Sequence, residues 1–218
     1  MAPTGAAGAA DVPGLLAALQ HSDPGCPRVT WYGADGERIE LSARVLANWV
    51  AKTANLLVDE LDAAGSTVRL ALPGHWKSVV WALATWSVGA RLVEGAAHVL
   101  VTDRPTEHPR VHGTEIVAVA LPSLARRFEG ALPPGVLDYA AEVAGFDDVL
   151  APVGRLDHRV LLAAARAAGV PQGARVLVDA GAPYAVLQVL AALVVDGSAV
   201  LAGRELSPHE RATELLTG

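Results

Sequence analysis

Three side chains that could contact a small molecule stand at or near the predicted carboxyl ends of strands. His75 follows Pro73-Gly74 at the end of one short apolar run, whereas Asp179 and Tyr184 lie at the end of a second run, 175–178. Open α/β sheets bind ligands at the carboxyl ends of their parallel strands. We therefore predict a ligand site at His75, Asp179 and Tyr184. The alternative for Tyr184 is a core ring with a hydrogen-bonded hydroxyl.

Other titratable residues are spaced less favourably for chemistry. His108 and His112 have the spacing of metal ligands, but Pro109 interrupts any helix that would present both, so solvated loop histidines are favoured. The neighbouring carboxylates Asp147 and Asp148 point apart in a regular element. His158 stands in a charged helix start with no nucleophile nearby in sequence. We predict no catalytic residue and no metal site.

Nucleotide-binding motifs are absent from the sequence. It contains neither G-x-G-x-x-G nor G-x-x-x-x-G-K, and no serine, threonine or lysine occurs from Leu124 to Gly197. A phosphate cradle needs clustered backbone N–H groups together with hydroxyls or a cation. The sequence therefore predicts that no nucleotide cofactor is bound. The glycines near strand ends, Gly74 and Gly181, could admit a ligand to the backbone but are typical turn residues.

Composition excludes several classes of partner. The 218 residues are 52% apolar and 18% charged, with a net charge of −6 and two lysines. Such a chain can fill a core but lacks the basic surface that nucleic acid or an anionic membrane requires. Cys26 is the only cysteine, so an internal disulfide is impossible. The first residues lack the features of a secretory signal, and the longest uncharged apolar stretch, 180–195, is shorter than the ~20 residues of a spanning helix. We expect a cytoplasmic protein.

The elements that would position these residues are two strand–helix–strand segments. The first comprises a strand at 68–72, a helix at 75–88 and a strand at 90–93, and the second a strand at 175–179, a helix at 184–195 and a strand at 199–201. A hairpin at 28–41 and a helix at 45–61 precede them, and residues 136–144 are expected to form a helix between them. The pattern predicts an α/β fold, with a layered, mostly parallel sheet, helices on both faces and an N-terminal β-hairpin. We expect a flexible tail over 1–13 and a single domain over 14–218.

The helix at 75–88 is apolar on every side. Trp76, Val79, Val80, Leu83 and Trp86 form one face, while Trp81, Thr85 and Val88 lie opposite. A helix of this kind is either buried on both sides or half of an interface. We therefore expect a homo-oligomer or a protein partner through helix 75–88, the alternative being that the N-terminal hairpin and helix of the same chain cover Trp81.

The order of elements resembles the N-terminal domain of adenylate-forming enzymes, which include acyl-CoA synthetases, peptide-synthetase adenylation domains and luciferases. The resemblance runs through ERIELSARVLANWVAKTANLLVDEL, STVRLALPGHWKSVVWALATWSVGARLVEG, LDHRVLLAAARAAG and GVPQGARVLVDAGAPYAVLQVLAALVVDGSAVLAGRELSP, over about 28–216. It implies the fold of AMP-dependent synthetases, and it implies that Tyr184 takes the place of the family's aromatic residue at the acyl pocket.

The same resemblance shows what this chain lacks. The family's phosphate loop, rich in serine, threonine and glycine, should precede Asp157, where this chain reads FDDVLAPVGRLDHR. The family's adenine contacts and its C-terminal lid with a catalytic lysine would come after Gly218. The resemblance therefore implies a truncated, non-adenylating relative with a binding or scaffolding role. The alternative is a minimal acyl-activating ligase or transferase, completed by a partner chain, with its site near Asp179 and Tyr184.

Overall fold

The computed structural model describes residues 5–151, 156–182 and 184–215. The chain divides into two compact units, each with its own sheet. The first unit comprises Met1–Ala47, Pro73–Val79 and Arg155–Gly218, and the second comprises Asn48–Leu72 and Val80–Gly154.

The described residues form nine strands and seven α-helices. The strands are β1 (Pro27–Tyr32), β2 (Arg38–Ser42), β3 (Thr67–Ala71), β4 (Arg91–Leu92), β5 (Val99–Thr102), β6 (Glu115–Ala118), β7 (Leu137–Asp138), β8 (Arg175–Asp179) and β9 (Ser198–Ala202). The helices are α1 (Val12–Ser22), α2 (Ala43–Asp59), α3 (Trp76–Ser87), α4 (Tyr139–Glu142), α5 (Arg159–Arg166), α6 (Ala185–Leu193) and α7 (Pro208–Leu215).

The first unit holds a four-stranded sheet in the order β2-β1-β9-β8. β1 and β2 form the predicted antiparallel hairpin, which the Gly33 amide closes by donating to the Glu37 carbonyl at 2.8 Å. β9 is parallel to both β1 and β8. The second strand–helix–strand segment, β8-α6-β9, is therefore a parallel unit, as the sequence predicts.

The second unit holds a five-stranded sheet in the order β4-β3-β5-β6-β7, in which every pair is parallel. The first strand–helix–strand segment, β3-α3-β4, belongs to this sheet. The α/β fold with mostly parallel sheets, flanking helices and an N-terminal hairpin is thus confirmed. The two similar segments lie in different sheets.

Local signals place most helix ends. Ser42 Oγ accepts from the Val45 amide at the start of α2, and Gly89 takes a left-handed φ of 73° just after α3. Asp11 caps α1 by accepting from the Gly14 amide at 2.7 Å, and Val12 is fully buried. Helix α1 therefore begins before residue 14.

One predicted helix, 136–144, is divided in the structure. β7 takes Leu137–Asp138, and the four-residue α4 follows at Tyr139. The physical reason is the Asp138 side chain, which accepts from the Ala140 and Ala141 amides and so caps a new helix start in the middle of the predicted one.

Helix α3 is covered by its own chain. Every residue from 75 to 88 is buried, and Trp81 has no exposed surface. Within the second unit the Trp81 ring lies 5.0 Å from the ring of Tyr139, between centroids. The buried hydroxyls of Thr85 and Ser87 donate to carbonyls one turn earlier, which satisfies them inside the core. No described helix has the length and apolar character to cross a bilayer.

Candidate functional site

A pocket of about 390 Å³ opens at the carboxyl ends of β8 and β9 in the first unit. β8 contributes its last three residues, β9 and the turn that follows it contribute five, and α7 contributes one arginine. The lining residues are Leu177, Val178, Asp179, Ala202, Gly203, Arg204, Glu205, Leu206 and Arg211. The volume lies at the lower end of the range for small-molecule sites.

The floor of this pocket is apolar and rests on a packed cluster. Ala202 and Leu206 are buried in that cluster together with Tyr32 and Val200, and the half-buried Leu177 packs against it. A floor of this kind favours an apolar group on the ligand, because burying apolar surface contributes about 25 cal/mol per Å².

Arg204, on the rim, is held by its own unit. Its guanidinium donates to both carboxylate oxygens of Glu210, at 2.7 and 3.1 Å, and its Nε donates to the Gly33 carbonyl at 3.2 Å. These bonds from Arg204, with others from Ser207, lower the pKa of Glu210 to about 2. Arg204 therefore has a structural role, and its charge is balanced by that of Glu210.

The other charged groups of the rim have polar atoms that form no hydrogen bond with the described residues. Asp179 accepts from the Gly181 amide through Oδ1 at 2.8 Å, which leaves Oδ2 without a partner among the described residues. Arg211 donates through Nε to the Leu206 carbonyl at 3.2 Å, and neither of its terminal nitrogens has a partner in that part of the chain. Glu205 is exposed, and its carboxylate is likewise unpaired with any described residue. The pocket thus offers charges of both signs.

A buried ion cluster fixes the helix that carries Arg211. Glu214 of α7 accepts from the Tyr32 hydroxyl at 2.6 Å, from Arg38 at 2.9 Å and from Arg175, with which it pairs closely. Burial alone would raise the pKa of Glu214, but the hydrogen bonds from Tyr32, Arg175 and Arg38 outweigh it and lower the pKa to about 2. Arg175 also donates to Thr30 at 2.8 Å. α7 is therefore tied to the β1, β2 and β8 strands.

The three predicted site residues are placed differently from one another. Asp179 lines the pocket, whereas His75 and Tyr184 are not among its lining residues. Tyr184 takes a left-handed φ of 62° and is 68% exposed. The alternative that its ring packs in the core is therefore wrong. His75 is 4% exposed, and its ring lies 4.8 Å from that of Trp31.

The surroundings of His75 indicate a structural role. Burial, with a smaller contribution from the charge of Lys77, lowers the pKa of His75 to about 3, so the ring is neutral at pH 7. Its Nδ1 accepts from the Lys77 amide at 3.1 Å, as a capping side chain at a helix start does. Next to it, a Cβ on Gly74 would stand 1.9 Å from the Ala180 carbonyl oxygen, so the two turns touch through their backbones.

The remaining sequence candidates are not among the residues that line this pocket. His112 is exposed, and among the described residues no group of three metal-binding side chains comes together. Hydrogen bonds from Arg159 lower the pKa of the exposed Asp157 to about 2. His158 accepts through Nδ1 from the Val12 amide at 3.2 Å. Gly154 and Arg155, at the place of the expected phosphate loop, lie outside the described residues.

The sequence alone does not predict the pocket-lining residues that lie on β9, on the turn after it and on α7. Arg204, Glu205 and Arg211 lie 25 or more residues after Asp179, and no motif joins them to it. The only available signal was the rule that strands of one parallel sheet end at the same edge, which applies to β9 as it does to β8.

Comparison with known proteins gives one sequence relative and several similar folds. A TIGR03089 family protein of Mycobacterium tuberculosis (strain ATCC 25618 / H37Rv) is 35% identical over 211 residues, which cover 86% of either chain. A Brucella canis acyl-CoA synthetase superposes with a TM-score of 0.70 at 17% identity, over 89% of this chain and 43% of that one. No family model matches the sequence.

Two further solved structures have the same fold. The acetoacetyl-CoA synthetase from Streptomyces lividans gives a TM-score of 0.70 at 17% identity, over 88% of this chain and 38% of its own. The NpsA N-terminal subdomain from Klebsiella oxytoca gives 0.66 at 12% identity, over 95% and 60% respectively. The chain thus spans less than two thirds of each of these structures. The predicted resemblance to the N-terminal part of adenylate-forming enzymes is confirmed as a likeness of fold.

Proposed function

The chain belongs to the family of the TIGR03089 family protein, and from that premise we propose that it is a small-molecule-binding domain that does not adenylate. Its fold is that of an adenylate-forming N-terminal subdomain. The ligand enters the pocket at the carboxyl ends of β8 and β9.

The observation that carries this proposal is the chemistry of the pocket lining. The lining has an apolar floor and charged groups at its rim, which suits binding, but it contains no serine, threonine, cysteine, lysine or histidine. Adenylation needs a cradle for phosphate, in which backbone N–H groups act together with hydroxyls or a lysine, and this lining supplies neither a hydroxyl nor a lysine. The lack of serine, threonine and lysine from 124 to 197 agrees with this, because the family's phosphate loop is built from these residues.

A second candidate function is a minimal ligase or transferase completed by another chain. It is favoured by the short coverage of the synthetases, 43% and 38% of their lengths, and by the position of Asp179 at the pocket. In that case this chain supplies part of a composite site, and activity requires the second chain.

A pyrophosphate exchange assay separates the two functions. Purified protein with ATP, magnesium and a panel of carboxylates should incorporate no pyrophosphate into ATP, and millimolar ATP should leave the melting temperature unchanged. Reproducible, magnesium-dependent exchange by the chain alone would refute the non-adenylating function. Exchange that appears only when a second chain is added would establish the composite enzyme.

A ligand screen by thermal shift tests the binding role, since a ligand of the native state stabilises it by mass action. Hits are repeated on Leu177→Trp, which fills the pocket from its floor, and on Val160→Trp as the control. Val160 is 86% exposed on α5 and does not line the pocket. We expect hits to be lost in Leu177→Trp and kept in Val160→Trp. Hits that survive in a folded Leu177→Trp protein would place the site elsewhere.

A further inference from the structure

We infer that the ligand of this pocket is a zwitterion with an apolar body, of about the size of a dipeptide, whose anionic end pairs with Arg211 and whose cationic end pairs with Asp179. The inference rests on the proposed binding role and adds the chemical class of the ligand.

The charged groups of the pocket lining differ in whether they are already paired within the protein. Both carboxylate oxygens of Glu210 accept hydrogen bonds from Arg204, so the charges of this pair are balanced without a ligand. Arg211 keeps two terminal nitrogens without a described partner, and Asp179 keeps Oδ2. Glu205 adds a second carboxylate to the rim. A ligand with only one sign of charge would leave one of these sides unpaired.

Arg211 and Asp179 are each held by a hydrogen bond within the first unit. The Nε of Arg211 is held by the Leu206 carbonyl, and α7 is held by the buried Glu214 cluster one turn further on. Asp179 is held by the Gly181 amide at the end of β8. Both charges are therefore positioned before a ligand arrives, which reduces the entropy that binding must overcome.

The pocket also has room for an apolar group. Leu177, Ala202 and Leu206 form an apolar floor under the charged rim, and the volume of about 390 Å³ exceeds what one ion would fill. An apolar body that joins the two charged ends would cover this floor. Short apolar peptides have this combination, and they can be supplied with either end blocked.

The experiment compares three forms of one probe, measured by calorimetry: Ala-Leu, its N-acetyl derivative, which keeps only the anion, and its amide, which keeps only the cation. We expect Ala-Leu to bind about tenfold more tightly than either blocked form, since a charge-assisted hydrogen bond is lost in each. Arg211→Gln should weaken Ala-Leu about tenfold and leave the amide unchanged, whereas Asp179→Asn should weaken Ala-Leu and leave the N-acetyl form unchanged.

The matched controls are Arg126→Gln and Asp59→Asn, which remove exposed charges of the same kinds from the second unit. Both should bind Ala-Leu as the unaltered protein does. Equal affinity for all three forms, or no saturable binding of Ala-Leu, would overturn the zwitterion inference. The binding role itself would stand if other hits of the screen were lost in Leu177→Trp, and it would fall if none were.

Discussion

Replacing Glu214 by glutamine should lower the free energy of unfolding by roughly 2 to 3 kcal/mol. The carboxylate is 4% exposed and Arg175 is 7% exposed, so the substitution leaves a buried guanidinium without its counter-ion. Removing one partner of such a pair costs about 3 to 5 kcal/mol in other proteins. The lower figure applies here because Arg38 is 45% exposed and because glutamine keeps one acceptor for Tyr32.

The pH dependence gives an independent measure of the same charge. The pKa of Glu214 falls from 4.5 in the unfolded chain to about 2 in the folded one, so its stabilisation is complete above about pH 4.5 and is lost as the pH falls toward 2. The stability difference between the unaltered protein and Glu214→Gln should therefore shrink between pH 5 and pH 3.

Urea denaturation followed by tryptophan fluorescence measures both effects. The matched control is Glu210→Gln, on the same helix, because its ion pair with Arg204 is more open to solvent than that of Glu214. We expect a clearly smaller loss for the control. Equal losses for the two variants, or a difference between Glu214→Gln and the unaltered protein that does not change with pH, would show that the Glu214 cluster is not buried in solution.

Three further predictions concern the helix and turns around His75. His75→Asn keeps a capping acceptor but removes a group whose pKa is about 3 in the folded protein, below its usual 6.5. The free energy of unfolding of the variant should therefore fall less steeply than that of the unaltered protein as the pH drops from 6.5 toward 3, by up to about 1.4 kcal/mol per pH unit. Identical pH profiles for the two proteins would contradict the buried neutral ring. Gly74→Ala should destabilise the protein severely, because its Cβ would stand 1.9 Å from the Ala180 oxygen, whereas Gly95→Ala, with open space around its Cβ, should have little effect on the melting temperature. Trp81→Glu should unfold the protein, because Trp81 has no exposed surface. Light scattering that instead shows the variant converting an oligomer to a folded monomer of 22.5 kDa would contradict this and support the interface expected through helix 75–88.

Local chemistry explains why so much of the fold could be predicted. Apolar runs of strand length and apolar residues at helical spacing located β3, α3, β8 and α6, because burial imposes its period on the sequence of each element. Capping side chains and glycines placed several boundaries. The divided helix at 136–144 shows the limit, because the spacing of apolar residues does not reveal that the Asp138 side chain caps a helix that begins at Tyr139.

The candidate site could be predicted only in part for a different reason. Asp179 was found because a strand end is a local feature. The roles of His75 and Tyr184 depend on what packs around them, and one is buried against Trp31 while the other projects from the surface. Periodicity gives the face of an element but does not say which neighbour covers it.

The sequence by itself determined the order of elements, the parallel strand–helix–strand segments, and the lack of serine, threonine and lysine from 124 to 197. The tertiary structure alone decided that these segments lie in two sheets, and that Asp179 and Arg211 share a pocket. It also decided that Glu214 neutralises Arg175 inside the first unit. These pairings join residues far apart in the chain, and their free energy depends on distance and burial, which have no local signature in a sequence.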